Sequence, residues 1–235
     1  RLTAPLCIAG GLCKQWLEEM GIRIGAHIDA IGGYYDSYNP DSLDINLDEI
    51  RQDFPVFTAS AGEKMQQIIA DARAEGDSVG GFIECYIIGL PAGLGEPMFG
   101  GVESRIAQIV YGIPAVKSLE FGSGTFSAQL RGSQNNDSYF CVGDAVRTTT
   151  NHSGGILGGI TNGMPVVFSV GIKPTPSISK PQQSVSLSKM ENQELVVKGR
   201  HDPCIVPRAV PVVEAAAAIA IYDMILGNTQ TDRRK

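Results

Sequence analysis

The stretch "PRAVPVVEAAAAIAIYDMIL", residues 207–226, is the one whose reading settles the fold class. Its alanines, valines and isoleucines occupy nearly every side of a helix, and only Arg208, Glu214 and Asp223 bring charge into it. A half-exposed helix shows one apolar stripe, so a helix apolar most of the way round is buried on most sides. Residues 3–20 read the same way. Leu6, Ala9, Cys13, Trp16, Leu17 and Met20 recur at three- and four-residue steps, with Gly21 as the expected stop. Two such helices are expected to lie between layers of sheet.

Working outward, "IRIGAHIDAIGG" (22–33) alternates with Ile22, Ile24, Ala26, Ile28 and Ala30 on one face, the pattern of a strand, and "GFIECYIIGL" (81–90) is a second. Shorter strands are expected at 115–121, 138–142 and 164–172, and a hairpin in "SVSLSKMENQELVVKG" turning near Glu191 and Asn192. Ser60 and Glu63 have the spacing of a capping box, opening a helix that runs to about Gly76. Another helix passes through Val102, Ile106, Ile109 and Val110, and the final one is expected over 207–226 with Gly227 ending it. The polar, aromatic stretch 33–57 reads as loop. Hairpins mixed with helices, without βαβα alternation, give an α+β class and not a doubly wound one.

Composition narrows the function. The 235 residues suffice for one large domain or two small ones, and no linker or repeat divides them. With 19 basic and 25 acidic residues the net charge is −6, so no general nucleic-acid footprint is present and any anion must be held by a local group of cations. The five cysteines form no CxxC pair and the three histidines are far apart. Neither a disulfide framework nor a metal site is therefore expected, and reduced thiols in a cytoplasmic protein are the default. The apolar run 209–221 is interrupted by Pro211 and Glu214 and is too short to span a membrane, and no signal peptide is visible.

Four stretches carry candidate chemistry. "TTTNHSGGILGGITNG" (148–163) holds five glycines among residues 154–163, matches neither a P-loop nor GxGxxG, and reads equally as a tight structural crossing or a ligand-binding loop. "GIKPTPSISKP" (171–181) places Lys173 at a strand end, before Thr175 and Ser177 on a backbone stiffened by Pro174 and Pro176, and reads equally as a phosphate loop or as ordinary proline punctuation at a strand edge. "GRHDPCIVPR" (199–208) sets Arg200, His201 and Asp202 before the last helix. Asp202 reads as a helix cap or as a carboxylate that passes a proton, and Arg200 offers a planar fork to an anion. "RLTAP" opens the first apolar helix with Arg1. His27 reads as a core or edge residue, His152 as a weak candidate, and Trp16 and Tyr86 as packing.

Taken in order with "GLPAGLGEPMF" (89–99) and "IPAVKSLEFGSG" (113–124), these stretches resemble the chorismate synthase family over essentially the whole chain. "RLTAP" is similar to the end of its serine–small–arginine–x–threonine motif. The resemblance implies a carbon–oxygen lyase that makes chorismate from 5-enolpyruvylshikimate 3-phosphate by anti-1,4-elimination of phosphate, with reduced FMN and no net redox change. It implies a β-α-β sandwich with helices between antiparallel sheets, and a homotetramer without nucleic-acid or membrane partners. Carried over position by position, Arg1 matches an arginine at the flavin and substrate, Pro114 and Ala115 a flavin-contacting pair, and Gly158 a flavin-contacting glycine. Lys173, Pro174, Thr175, Pro176 and Ser177 match the flavin phosphate loop, Arg200 the flavin- and substrate-binding arginine, and Asp202 an aspartate that assists proton transfer. Pro176 stands where serine is common and Pro114 where a polar residue is common. The family's N-terminal portion, with two catalytic histidines, has no counterpart here, so residues 1–235 are expected to form a single, N-terminally incomplete domain. A non-catalytic FMN- or phosphate-binding fragment is the alternative reading. Whether the flavin is reduced by this protein with NADPH is left open by the resemblance.

Overall fold

The computed structural model describes residues 2–38 and 43–232, the last four in backbone only. In chain order its first half comprises α1 (Thr3–Glu19), β1 (Arg23–Ile31), β2 (Tyr34–Tyr35), α2 (Ala59–Ala74), β3 (Gly81–Ile88), α3 (Val102–Val110) and β4 (Val116–Phe121). Then come α4 (Gly132–Asn135), β5 (Tyr139–Val142), β6 (Ala145–Thr148), β7 (Ile156–Leu157), β8 (Ile160–Thr161), β9 (Val166–Ile172), β10 (Gln182–Ser186), β11 (Glu191–Leu195) and α5 (Val206–Asp232). Mixed helices and antiparallel sheets make the chain α+β, as expected.

The main sheet runs β2-β1-β3-β9-β4 with every neighbouring pair antiparallel. One face receives α5, which in turn carries α1. The crossing of the two helices is so close that a Cβ on Gly10 would lie 2.3 Å from the Ala215 Cβ, so this turn of α1 accepts only glycine. Glu214, the charge inside the apolar run, accepts the Ala26 amide at 2.9 Å and pairs with Lys14 at 2.5 Å, tying α5 to both β1 and α1. Val213, Ala216, Ala217, Ala218 and Ile221 are fully buried. Contrary to the expectation from 209–221, the span Val206–Asn228 is by length and composition sufficient to cross a bilayer, but 61% of its apolar 18-residue window is buried, so in this fold its apolarity serves the core. Trp16 stacks on Tyr222 at 5.0 Å, the packing role read for it. The outward side of α1 leaves Ile8 and Leu12 exposed.

The stretch 33–57 does more than connect. Its Leu47 packs over Gly25, its Phe54 and Val56 join the buried core, and Phe57 lies edge-on against His27 at 4.7 Å. It covers the sheet face opposite the helices, which is why β1 is buried on both faces.

Three local expectations are corrected. Thr58, not Ser60, precedes α2, and no side-chain capping bond forms there. The buried Asp36 carboxylate takes the amides of Phe57 at 2.7 Å and Thr58 at 3.2 Å, and fixes the entry of the chain two residues early. The 182–195 hairpin turns at 187–190, with Glu191 already paired to Ser186. Gly227 does not adopt the positive φ of a helix stop, and α5 continues to Asp232.

Candidate functional site

The register of the sheet places the first pair of expected site segments side by side. β4 and β9 pair through Val116 and Ile172, so the residues just outside, Ala115 and Lys173, meet. The Lys173 amide donates to the Ala115 carbonyl at 3.0 Å. Ala115 holds φ at 74°, a left-handed conformation that costs a residue with a Cβ about 1–2 kcal/mol. Strain of this kind persists where the surroundings over-determine it and recurs at ligand sites.

The 173–177 loop rests on the chain entering β3. Ser78 donates its hydroxyl to the Thr175 carbonyl at 2.7 Å, and the Val79 amide donates to the Pro203 carbonyl at 2.8 Å. One short segment therefore holds both the lysine loop and the Arg200–Pro203 stretch. Gly80 makes this possible, because a Cβ there would lie 2.3 Å from the Ile172 carbonyl oxygen and 2.9 Å from the Pro174 nitrogen. Among the described residues the buried Thr175 hydroxyl has no hydrogen-bond partner, although buried polar groups are almost always paired. Among the described residues the Lys173 ammonium makes no ion pair.

Beside this loop lies a cleft of about 210 Å³ lined by Arg73, Gly76, Asp77, Ser179, Arg200 and His201, among others. Asp77, the carboxylate in its wall, is engaged elsewhere: Lys180 reaches it at 2.7 Å and holds its carboxyl below the usual range. Among the described residues neither Arg73 nor Arg200 has an acidic partner, so the cleft is locally cationic in a chain of net charge −6. An adjoining hollow of about 260 Å³ is bounded by Arg200, His201, Asp202 and Arg208. His201 Nε2 lies 3.0 Å from the Val197 carbonyl, which fixes the ring. Larger clefts exist elsewhere, including one of about 560 Å³ between Leu43–Asn46 and Arg147, but they share no residue with these segments.

Asp202 is not a helix cap. α5 begins at Val206, and the amides of Arg208 and Ala209 both turn back to the Ile205 carbonyl. The Asp202 carboxylate instead accepts from Arg208 Nη1 at 2.9 Å and stays partly open to solvent. Two residues on, burial pushes the Cys204 thiol up to about 11, which removes it as a nucleophile.

The glycine run proves to be mainly a crossing. A Cβ on Gly154 would meet the Gly122 nitrogen at 2.4 Å, and Gly158 and Gly159 form the positive-φ turn between β7 and β8. Gly158 itself faces open space. This hairpin joins the beginning of β9 while Lys173 follows its end, roughly 20 Å apart at about 3.3 Å per residue. The structure thus unites the 114–115, 173–177 and 200–202 segments but does not bring Gly158 to them. Arg1 lies outside the described residues.

Several supporting residues escaped the sequence reading. Ser78 acts through a hydroxyl bond to a carbonyl 97 residues away and Gly80 through close backbone approach, neither of which a motif records. Asp137 anchors the glycine run, accepting from Thr150 Oγ1 at 2.7 Å and from the amides of His152 at 2.7 Å and Ser153 at 2.9 Å. The His152 ring is occupied as well, its Nδ1 lying 3.1 Å from the Asn135 carbonyl.

The family profile described as Chorismate synthase matches residues 1–226. The chain belongs to the chorismate synthase family. It is similar to the Chorismate synthase of Lancefieldella parvula, 46% identical over 96% of this chain and 63% of the relative. The Chorismate synthase of Korarchaeum cryptofilum is 44% identical over 96% of this chain and 62% of its own length. A solved structure titled Crystal Structure of Chorismate Synthase superposes with a TM-score of 0.80 at 28% identity, covering 96% of this chain and 63% of that one. The chain therefore spans a little under two thirds of the length of the chorismate synthases it matches.

Proposed function

We propose that this chain carries the flavin-phosphate and substrate-anion site of a chorismate synthase that converts 5-enolpyruvylshikimate 3-phosphate to chorismate and phosphate. The observation that carries the reading is the joining of Ala115, the Lys173–Ser177 loop and Arg200–Pro203 through the Ser78–Gly80 segment. The residues present fit a phosphate-bearing cofactor: a lysine and a buried hydroxyl that have no partner among the described residues, and prolines that leave the loop little entropy to lose. Lys173 and Thr175 would hold the phosphate of FMN, with Ala115 beside them. Reduced FMN, when bound, supplies an electron-rich ring that stabilises the cationic character left by a departing allylic phosphate.

The chain's own residues bind and position. Arg200 and Arg73 set fixed cations around the cleft, where charge acts more strongly than in water as solvent is excluded. Asp202, held by Arg208, presents a carboxylate that can move a proton at the edge of the same hollow. Pro176, where serine is common, leaves the amide and hydroxyl work of the loop to Thr175 and Ser177. Free thiols at all five cysteines support a cytoplasmic setting. The exposed Tyr139, Phe140, Val142 and Val146 on the β5–β6 hairpin support assembly into a homotetramer.

The test is anaerobic mixing of the protein with FMN reduced in advance and 5-enolpyruvylshikimate 3-phosphate. Chorismate and phosphate released in equal amounts are expected. Bound FMN with no chorismate formed would overturn the catalytic reading and leave a flavin-binding module.

A further inference from the structure

On the sheet face opposite the helices, three metal-ligating side chains converge that the cleft does not use. His27 and Glu84 are direct partners in the β1–β3 register, and Asp29 follows His27 by two residues. The register slips between Ile28 and Ala30, a bulge with Asp29 at its centre. The backbone there bonds outside the ladder: the Ile28 amide donates to the Pro55 carbonyl at 2.6 Å and the Asp36 amide to the Asp29 carbonyl at 2.7 Å. Bulges re-aim side chains, and this one brings Asp29 to the other two. A ring nitrogen of His27, an oxygen of Asp29 and an oxygen of Glu84 all lie within 4.8 Å of one another.

A second observation points to a ligand. His27 is 1% exposed, and its Nδ1 is buried with no hydrogen-bond partner among the described residues. The ring is held in place by Phe57, edge-on at 4.7 Å, and by Tyr86, stacked at 5.8 Å. Tyr86 also donates its hydroxyl to Glu84. That contact orients the carboxylate as outer partners orient metal ligands. A locked imidazole facing two carboxylates, one of them already aimed, is a donor set lacking its acceptor of electron pairs.

We infer that His27, Asp29 and Glu84 bind a divalent cation of the zinc class, which ties β1 to β3. Imidazole nitrogen with carboxylate oxygens suits zinc, whereas magnesium and calcium take oxygen donors and would leave the imidazole unused. Ligands about 2.1 Å from a tetrahedral centre stand roughly 3.4 Å apart, so the cluster needs only small rotations of the two carboxylates. Cys and His spacing carries no trace of this site, because Asp29 and Glu84 are carboxylates and Glu84 comes from a strand more than fifty residues away in sequence.

The experiment uses the protein stripped with chelator and then titrated with Zn²⁺ against a chromophoric competitor, with Co²⁺ as a spectroscopic probe. One tight equivalent is expected, with visible Co²⁺ bands of nitrogen and oxygen ligation. A rise in Tm of roughly 5–10 °C is expected at a hundredfold excess over Kd. Asp29→Asn and Glu84→Gln should each weaken binding by about a hundredfold or more. Both amides are neutral and isosteric, so circular dichroism of the stripped variants should match the parent. Cys141→Ser, which removes an exposed thiol, should keep the equivalent. No tight equivalent in the parent, unchanged binding in both amide variants, or loss of binding in Cys141→Ser would overturn the site. Should an amide variant fail to fold, a thiolate charge-transfer band in the parent's Co²⁺ spectrum would overturn it equally.

Discussion

Replacing Asp137 by Ala tests how the glycine run is held. The Asp137 side chain is 3% exposed and its carboxylate accepts three hydrogen bonds, from Thr150 Oγ1, His152 N and Ser153 N. A hydrogen bond to a charged group contributes about 1.5–3 kcal/mol, and a buried amide left unpaired costs about 1–3 kcal/mol. The three share one acceptor and are not additive, so the total loss should be about 3–5 kcal/mol. In a chain of this size that lowers Tm by about 10 °C. Burial pushes the Asp137 carboxyl up, but the Ser153 amide, the Thr150 hydroxyl and the His152 amide outweigh it and hold the carboxyl below its ordinary value. A depressed folded value stabilises above the unfolded pKa, about 4, and that contribution fades as pH falls through the folded value. The gap between parent and Asp137→Ala in urea or thermal unfolding should therefore be full at pH 7 and shrink below about pH 4. A loss under about 1 kcal/mol at neutral pH, or a gap that stays constant into acid, would refute the reasoning.

Gly10→Ala places a Cβ 2.3 Å from that of Ala215, so the α1–α5 crossing must open, at a cost of about 1–3 kcal/mol by urea denaturation; an unchanged midpoint would mean that the helices are not in contact there. Gly80→Ala drives a Cβ to 2.3 Å from the Ile172 carbonyl oxygen and should shift the lysine loop, weakening FMN binding by about tenfold. Equal FMN affinity in a fluorescence titration would separate Gly80 from the phosphate loop. Asp202→Asn breaks a pair that is largely exposed, so stability should change by less than about 1 kcal/mol. Turnover should nonetheless fall by about a hundredfold or more if Asp202 handles the proton, and near-normal chorismate formation would make it a structural partner of Arg208.

Much of the fold was legible because burial leaves a periodic trace. The apolar helix α5 and the strands expected in 22–33, 81–90 and 164–172 read directly from side-chain pattern, whereas α1, expected to be buried on most sides, packs on α5 and leaves Ile8 and Leu12 exposed. What failed depends on partners distant in sequence. Thr58 starts α2 because Asp36 captures the amides before it, which no local capping pattern shows. The 33–57 stretch looked structureless because its apolar residues are spaced to cover a sheet, not to follow a helical or strand period. At the site, Lys173, Ala115 and Arg200 were legible as residue types, and the structure supplies their meeting through Ser78 and Gly80. Gly158 was legible only as a glycine, and its place at the opposite end of β9 follows from topology. The His27–Asp29–Glu84 convergence depends on strand register and a bulge, neither of which spacing along one segment reveals.

The most direct test of the central claim, that the lysine loop is built for a cofactor phosphate, is a parallel titration of FMN and riboflavin with the parent and Lys173→Ala. The two ligands differ only in the phosphate. The account predicts that Lys173→Ala weakens FMN by about tenfold or more, a loss of about 1.4 kcal/mol, and leaves riboflavin within about twofold. Unchanged FMN affinity, or an equal loss for both ligands, would contradict it.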